Sequence, residues 1–124
     1  KQKVGCPFDL STSHGSQIDE KQVEAIMKYI EIGKKEARLV TGGNRVQTDG
    51  CFIEPTIFAD VDPQSRIAKE EIFGPVMQII KFDNEENLVD IANDTIYGLA
   101  AGVLTNDIGK ALTVANSIKA GTVW

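Results

Sequence analysis

Apolar positions along the chain switch between two periods, and the switches mark out its elements. Behind Asp19, the residues Val23, Ile26, Met27 and Ile30 recur at helical spacing on one face. Asp19 can cap this helix, with Gln22 three residues on completing a variant of the capping box. A favourable Glu31 to Lys35 pair and the helix formers Lys34, Glu36, Ala37 and Arg38 carry the expected helix past Gly33 to Arg38. Leu39-Val40 predicts a short strand before a turn at Gly42-Gly43, and the polar stretch Asn44 to Gly50 reads as a hairpin-like or mobile loop. The run from Phe52 to Phe58 has strand composition, but Pro55 cannot donate to a ladder and pushes it towards an edge or an irregularity. Asp62-Pro63 reads as a capping residue followed by an N1 proline, so helical turns burying Ile67 are expected next.

Beyond Pro75 the pattern becomes regular. Val76 to Phe82 predicts a strand, and Asp83 with Glu86 makes a capping pair for a helix burying Leu88, Ile91 and Ala92. Leu99 to Leu104 predicts a small apolar strand. Asn106 or Asp107 then opens a helix with Ile108, Ala111, Leu112, Ala115 and Ile118 on one face, and Gly121 is placed for a left-handed cap. Thr122-Val123-Trp124 begins another strand. Strands and helices alternating at near-even spacing predict an α/β fold, a mostly parallel βαβ sheet with flanking helices. Lys1 to Gln17, broken by Gly5, Pro7 and Gly15, reads as a connecting loop with one short strand around Val4. A chain that starts in a connection and ends on the first residues of an apolar strand is expected to be a single partial domain over residues 1–124, cut from something larger.

The candidate chemistry lies at Lys69-Glu70-Glu71-Ile72-Phe73-Gly74-Pro75-Val76, where a short helix is expected to end at glycine-proline and a buried strand to begin. Ligands of open α/β sheets bind just outside strand ends. Glu71 could accept hydrogen bonds from a diol such as a ribose, and Phe73 could offer a flat apolar face. The plainer alternative is a solvated glutamate near a helix end and a core phenylalanine before Gly-Pro.

Composition narrows the function classes. With 124 residues, 42% of them hydrophobic and 25% charged, one globular domain with a real core is the natural expectation. A formal net charge of -5 argues against nucleic acid or an anionic membrane as the main partner. No apolar run approaches the roughly 20 residues that span a bilayer, and Lys1-Gln2-Lys3-Val4-Gly5 lacks the apolar core of a signal peptide. The chain therefore reads as soluble and unexported, with the cytoplasm the expected compartment and the mitochondrion the alternative. Cys6 and Cys51 lie far apart without a Cys-x-x-Cys pair, so neither a disulfide framework nor a zinc site is indicated. Neither cysteine has the helix N-terminus or cationic neighbour in sequence that a nucleophilic thiolate needs. His14, the one histidine, sits in the polar loop Ser11 to Ser16 and reads as solvated.

Several motifs then carry a family resemblance over essentially the whole chain. They are Val4-Gly5-Cys6-Pro7-Phe8-Asp9, Gly15-Ser16-Gln17-Ile18-Asp19, Gly50-Cys51-Phe52-Ile53-Glu54-Pro55-Thr56, Ile67 to Val76, Tyr97-Gly98-Leu99-Ala100-Ala101 and Ala120-Gly121-Thr122-Val123-Trp124. The chain resembles part of the catalytic domain of the NAD(P)-dependent aldehyde dehydrogenase superfamily, and is most similar to its class 1 and 2, retinal and aldehyde dehydrogenase branch. Glu-Glu-Ile-Phe-Gly-Pro-Val is among that family's most specific signatures.

The resemblance implies a cofactor-contacting set of Glu71, Ile72, Phe73 and Gln22: Glu71 on the nicotinamide-ribose hydroxyls, Phe73 beside the nicotinamide ring, and Gln22 on the helix facing NAD or NADP. Ala25 departs from the lysine that relatives often place near the adenosine half. The family reaction it implies is attack of a cysteine thiolate on an aldehyde, hydride passage to nicotinamide, and hydrolysis by a glutamate-activated water. Cys6 and Cys51 match no nucleophile position, and the Gly-rich Rossmann segment, the water-activating glutamate and the oxyanion-stabilising asparagine are absent from these residues. No catalytic residue and no metal ligand is therefore expected here. The isolated chain is expected to be inactive, a piece of an enzyme that acts on small aldehydes as a homo-oligomer. The competing expectation is a stand-alone binding or structural module that keeps the fold without the chemistry.

Overall fold

Residues 2–46 and 50–124 are described by the computed structural model of the chain, and they fall into two compact units, 1–81 and 82–124. In the first unit, α1 spans Glu20–Glu36 and starts where Asp19, extended at φ -158°, accepts from the Gln22 N–H at 2.7 Å. It ends two residues before the expected Arg38, because Ala37 turns extended and the chain enters β1 (Arg38–Thr41). Gly42 and Gly43 make the predicted turn with φ of +73° and +89°. The turn is tied down by Thr56, a buried side chain whose hydroxyl accepts from the Gly43 N–H at 2.9 Å and donates to the Glu54 carbonyl. Asn44 to Val46 pairs back against Phe52 to Glu54 as hairpin arms, while residues 47–49 of the expected loop lie outside the described residues.

Strand β2 (Thr56–Ala59) begins just after Pro55 and is the central strand of a sheet ordered β1-β2-β3, with β3 at Val76–Gln78. Of the edge or irregularity expected at Pro55, it is the second that occurs: the run from Phe52 is interrupted, and Pro55 sits immediately outside the ladder, where its missing N–H costs nothing. β1 and β2 are antiparallel and β2 and β3 parallel. Pairing runs on from β3 only to Ile79, whose N–H meets the Phe58 carbonyl at 2.9 Å, short of the predicted Phe82. Between these strands, Asp62 does not cap a helix. Its carboxylate accepts from the Gln64 N–H at 2.8 Å in a local turn, and α2 is a single turn, Arg66–Lys69, with Ile67 buried as expected. The core of the unit joins Val23, Ile26 and Ile30 of α1 to Ile53, Phe58, Val61 and Ile67. The short strand expected around Val4 is one bridge to His14.

In the second unit, α3 spans Glu85–Asn93, and its cap is Asn84, which accepts from the Asn87 N–H at 2.8 Å. The cap thus lies one residue beyond the expected Asp83 and Glu86 pair: Asn84 has the extended backbone of a cap, and the Asn87 side-chain oxygen accepts from the Asp83 N–H. Strand β4 (Ala100–Ala101) runs parallel to β5 (Thr122–Val123), with α4 (Ile108–Ser117) between them, capped by Asp107. This is the βαβ arrangement the spacing predicted. Helix α4 buries Val114; of the expected apolar face, Ala111, Ala115 and Ile118 are half-buried while Ile108 and Leu112 are exposed. It ends through an extended Ile118, so the left-handed cap expected at Gly121 does not form. Leu88, Ile91 and Ala92 of α3 are half-buried. Among the described residues no helix is long and apolar enough to cross a membrane.

Candidate functional site

Helix α2 ends at Lys69, five residues before Gly74, so the segment bearing Glu71 and Phe73 is not the helix end that the sequence suggested. Glu70 is already extended at φ -102° and ψ 141°, and two tight hydrogen bonds, Gly74 N–H to the Ile72 carbonyl and Val76 N–H to the Gly74 carbonyl, lead into β3. Gly74 does not take the left-handed backbone expected of a helix stop. It is glycine for lack of room: a Cβ there would lie 2.6 Å from Ile26 Cγ1, so the segment passes α1 at backbone distance.

Exposure alternates along this segment. Ile72 packs against the core cluster, while Glu71 and Phe73 on either side are exposed, Phe73 at 75%. A phenylalanine that open is not the core residue of the plainer alternative. Gln22, on the first turns of α1, donates its side-chain amide to the Phe73 carbonyl at 2.8 Å while its backbone N–H serves the Asp19 cap. Gln22, Ile72 and Phe73 are therefore brought together, with Glu71 beside them.

A second attachment escaped the sequence reading. Tyr29 donates its hydroxyl to Glu70 Oε2 at 2.7 Å, and Arg66 forks onto the same carboxylate, Nε to Oε1 at 2.9 Å and a terminal nitrogen to Oε2 at 2.8 Å. The guanidinium also lies over the Tyr29 ring, 5.9 Å from its centroid. Arg66 first, and the tyrosine hydroxyl second, hold the Glu70 carboxyl down at about 2, and the hydrogen bond that Tyr29 donates to Glu70 pushes its own phenol up. The Arg66 and Glu70 spacing of four was a visible signal; the Tyr29 link, across 41 residues, was not.

Cys6 is exposed, and Cys51 is half-buried with its sulfur 3.9 Å from Glu20, whose carboxylate Arg45 binds. Among the described residues no group of His, Cys, Asp and Glu is arranged to hold a metal ion. An open cleft of about 920 Å³ begins at Gly74 and Pro75 and extends over Thr56, Gly42 and His14; its lining includes none of Gln22, Glu71, Ile72 or Phe73.

Against known proteins, the family model described as "Aldehyde dehydrogenase family" matches residues 1–124. The chain belongs to the aldehyde dehydrogenase family. It is 53% identical over 125 residues to an aldehyde dehydrogenase of Enchytraeus buchholzi, and 52% identical to retinaldehyde dehydrogenase 3 of Rattus norvegicus. Those matches take in 100% of this chain and 25% and 24% of the relatives, so the chain spans about a quarter of their length. Its fold matches that of betaine aldehyde dehydrogenase from Staphylococcus aureus in complex with NAD+, with a TM-score of 0.94 and 42% identity over 98% of this chain and 25% of that one. The Mycobacterium tuberculosis aldehyde dehydrogenase complexed with NAD+ matches equally, with a TM-score of 0.94 and 46% identity over 98% of this chain and 26% of that one.

Proposed function

We propose that this chain works as one part of an NAD(P)-dependent aldehyde dehydrogenase that oxidises aldehydes to carboxylic acids, and that residues 71–73 supply the wall of its site facing the nicotinamide ribose. The observation that carries this reading is the exposed pair Glu71 and Phe73 on either side of an inward Ile72. NAD+ in the two solved relatives supports the choice of cofactor.

The residues present fit such a group. An exposed carboxylate accepts both hydroxyls of a vicinal diol, and an exposed phenyl face covers a flat ring and keeps water from it. When bound, nicotinamide supplies the hydride acceptor. Glu71 then fixes the ribose, Phe73 fixes the tilt of the ring, and Gln22 serves the cofactor through the Phe73 carbonyl that it holds. The nucleophile is assigned to polypeptide outside these residues, and the full-length enzyme to a homo-oligomer of the cytoplasm, with the mitochondrion as the alternative, acting on a small-molecule aldehyde.

The test is made in the intact dehydrogenase. Glu71→Gln should raise the KM for NAD about tenfold or more, the scale of a lost hydrogen bond to a charged group, and leave the KM for aldehyde in place. An unchanged KM for NAD overturns the assignment of Glu71. The isolated chain should show no turnover with NAD and aldehyde, and turnover that disappears on mutating Cys6 or Cys51 would contradict the placement of the nucleophile elsewhere.

A further inference from the structure

We propose that Tyr29 is a positioning residue for the cofactor wall: acting through Glu70, it fixes where the Glu71 carboxylate stands. This rests on the reading of Glu71 as the ribose ligand. Gln22 and Tyr29 are seven residues apart on α1, two turns, and so lie on one stripe of the helix, with Ile26 between them. Each of the three meets the segment opposite. Tyr29 bonds Glu70, Gln22 bonds the Phe73 carbonyl, and Ile26 closes on Gly74. Glu71 is therefore bracketed by a side-chain bond on the residue before it and a main-chain bond two residues after it, both from the same rigid helix.

The two anchors differ in what they govern. The Gln22 bond pins the backbone at Phe73, whereas Glu70 and Glu71 are neighbours whose side chains part to opposite sides of an extended backbone. Turning Glu70 away from Tyr29 swings the Glu71 side chain with it. Arg66 strengthens the hold from α2, which α1 also secures through Glu36 on the Ile67 N–H at 3.4 Å; among the described residues, Tyr29 is the α1 side chain that bonds the Glu70 carboxylate itself. The phenol is suited to this task. It has one donor on a ring with two torsions, it is half-buried, and Arg66 lies over its face.

The experiment uses the intact dehydrogenase with two cofactors, NAD and an NAD analogue lacking the hydroxyls of the nicotinamide ribose. The unsubstituted enzyme should bind NAD better than the analogue by about tenfold or more, and Glu71→Gln should remove most of that difference. Tyr29→Phe should weaken NAD binding about threefold to tenfold, as for a lost neutral hydrogen bond that lets the wall drift, and leave binding of the analogue nearly unchanged. Equal weakening towards both cofactors would mean that Tyr29 serves the fold alone, and no weakening would mean that Glu70 does not set Glu71; either overturns the inference while Glu71 keeps its role. An unsubstituted enzyme indifferent to the missing hydroxyls overturns the reading of Glu71 instead. Should Tyr29→Phe not fold, Glu70→Gln keeps an acceptor for the phenol but loses the guanidinium pair. It should give a smaller loss confined to NAD, and a loss shared by the analogue overturns the inference.

Discussion

The side-chain amide of Gln22 donates to the main-chain carbonyl of Phe73 at 2.8 Å, joining the first turns of α1 to a residue 51 positions away. Since the Gln22 backbone N–H is engaged separately by Asp19, helix and segment are attached by different atoms of one residue. Gln22→Ala should lose about 1 kcal/mol of stability, the net worth of one hydrogen bond. Gln22→Glu should lose more, because a carboxylate would then face a carbonyl oxygen with no proton between them. Urea unfolding of the three proteins gives the order, and a Gln22→Glu chain as stable as the parent would contradict the bond.

Gly33 is a helix-interior glycine with a packing reason. A Cβ there would fall 2.7 Å from both Cε2 and Cζ of Phe58, a fully buried ring. Alanine favours the helix by about 1 kcal/mol, but forcing a methyl into a filled core costs about 1–3 kcal/mol, so Gly33→Ala should lower the unfolding midpoint. On a Phe58→Leu background, which vacates that space, the same change should cost less or turn stabilising. Additive losses would mean that ring and glycine do not compete.

The carboxyl of Glu70 is held at about 2 in the folded chain against an ordinary glutamate value of 4.5. The folded state thus binds fewer protons here than the unfolded one, and stability rises with pH through this window. The Glu70 contribution is complete above pH 4.5 and is lost as acid takes the pH from there towards 2. Tyr29 acts with the opposite sign: its raised phenol contributes below its ordinary value of 10.0 and is lost as pH climbs beyond it. The stability difference between the parent and Glu70→Gln should be flat near neutrality and shrink below pH 4.5. A difference that grows in acid would reverse the assignment.

Asp60 is the one non-glycine residue with a positive φ among the described residues, at 55°, and its carboxylate takes Lys81 at 2.6 Å and Arg38 at 2.8 Å. Lys81 first, then Arg38, holds that carboxyl below the usual range. Asparagine tolerates this backbone and alanine does not. Thermal midpoints should therefore fall from the parent to Asp60→Asn to Asp60→Ala. Added salt should narrow the first gap, which is ionic, and leave the second.

Local grammar made α1, β1, the Gly42-Gly43 turn and the β4-α4-β5 unit legible, because each is written in residues close together in the chain. The misses came where two neighbouring side chains could do the same job. Asn84 rather than Asp83 caps α3, and the Asp62 carboxylate turns to Gln64 rather than to a helix. The apolar face expected on α4 is covered only in part, for another reason: periodicity names a face without saying what packs on it, and Ala111, Ala115 and Ile118 find partial cover where Ile108 and Leu112 do not. In the candidate site, motif and chemistry single out Glu71 and Phe73 and the family resemblance adds Ile72 and Gln22; the structure exposes the first pair and bonds Gln22 to Phe73. The Tyr29 bond to Glu70 was not legible, since no local pattern joins residues 41 apart.

Ile26 belongs at once to the sealed interior and to the underside of the segment at Gly74, with only a hydrogen separating the two. The interior and the exposed segment around Phe73 consequently share a foundation, Ile26. Warming that lets this isoleucine rattle should blur the Phe73 ring before the chain melts, so a fluorinated phenylalanine at that position would report approaching collapse from the outside.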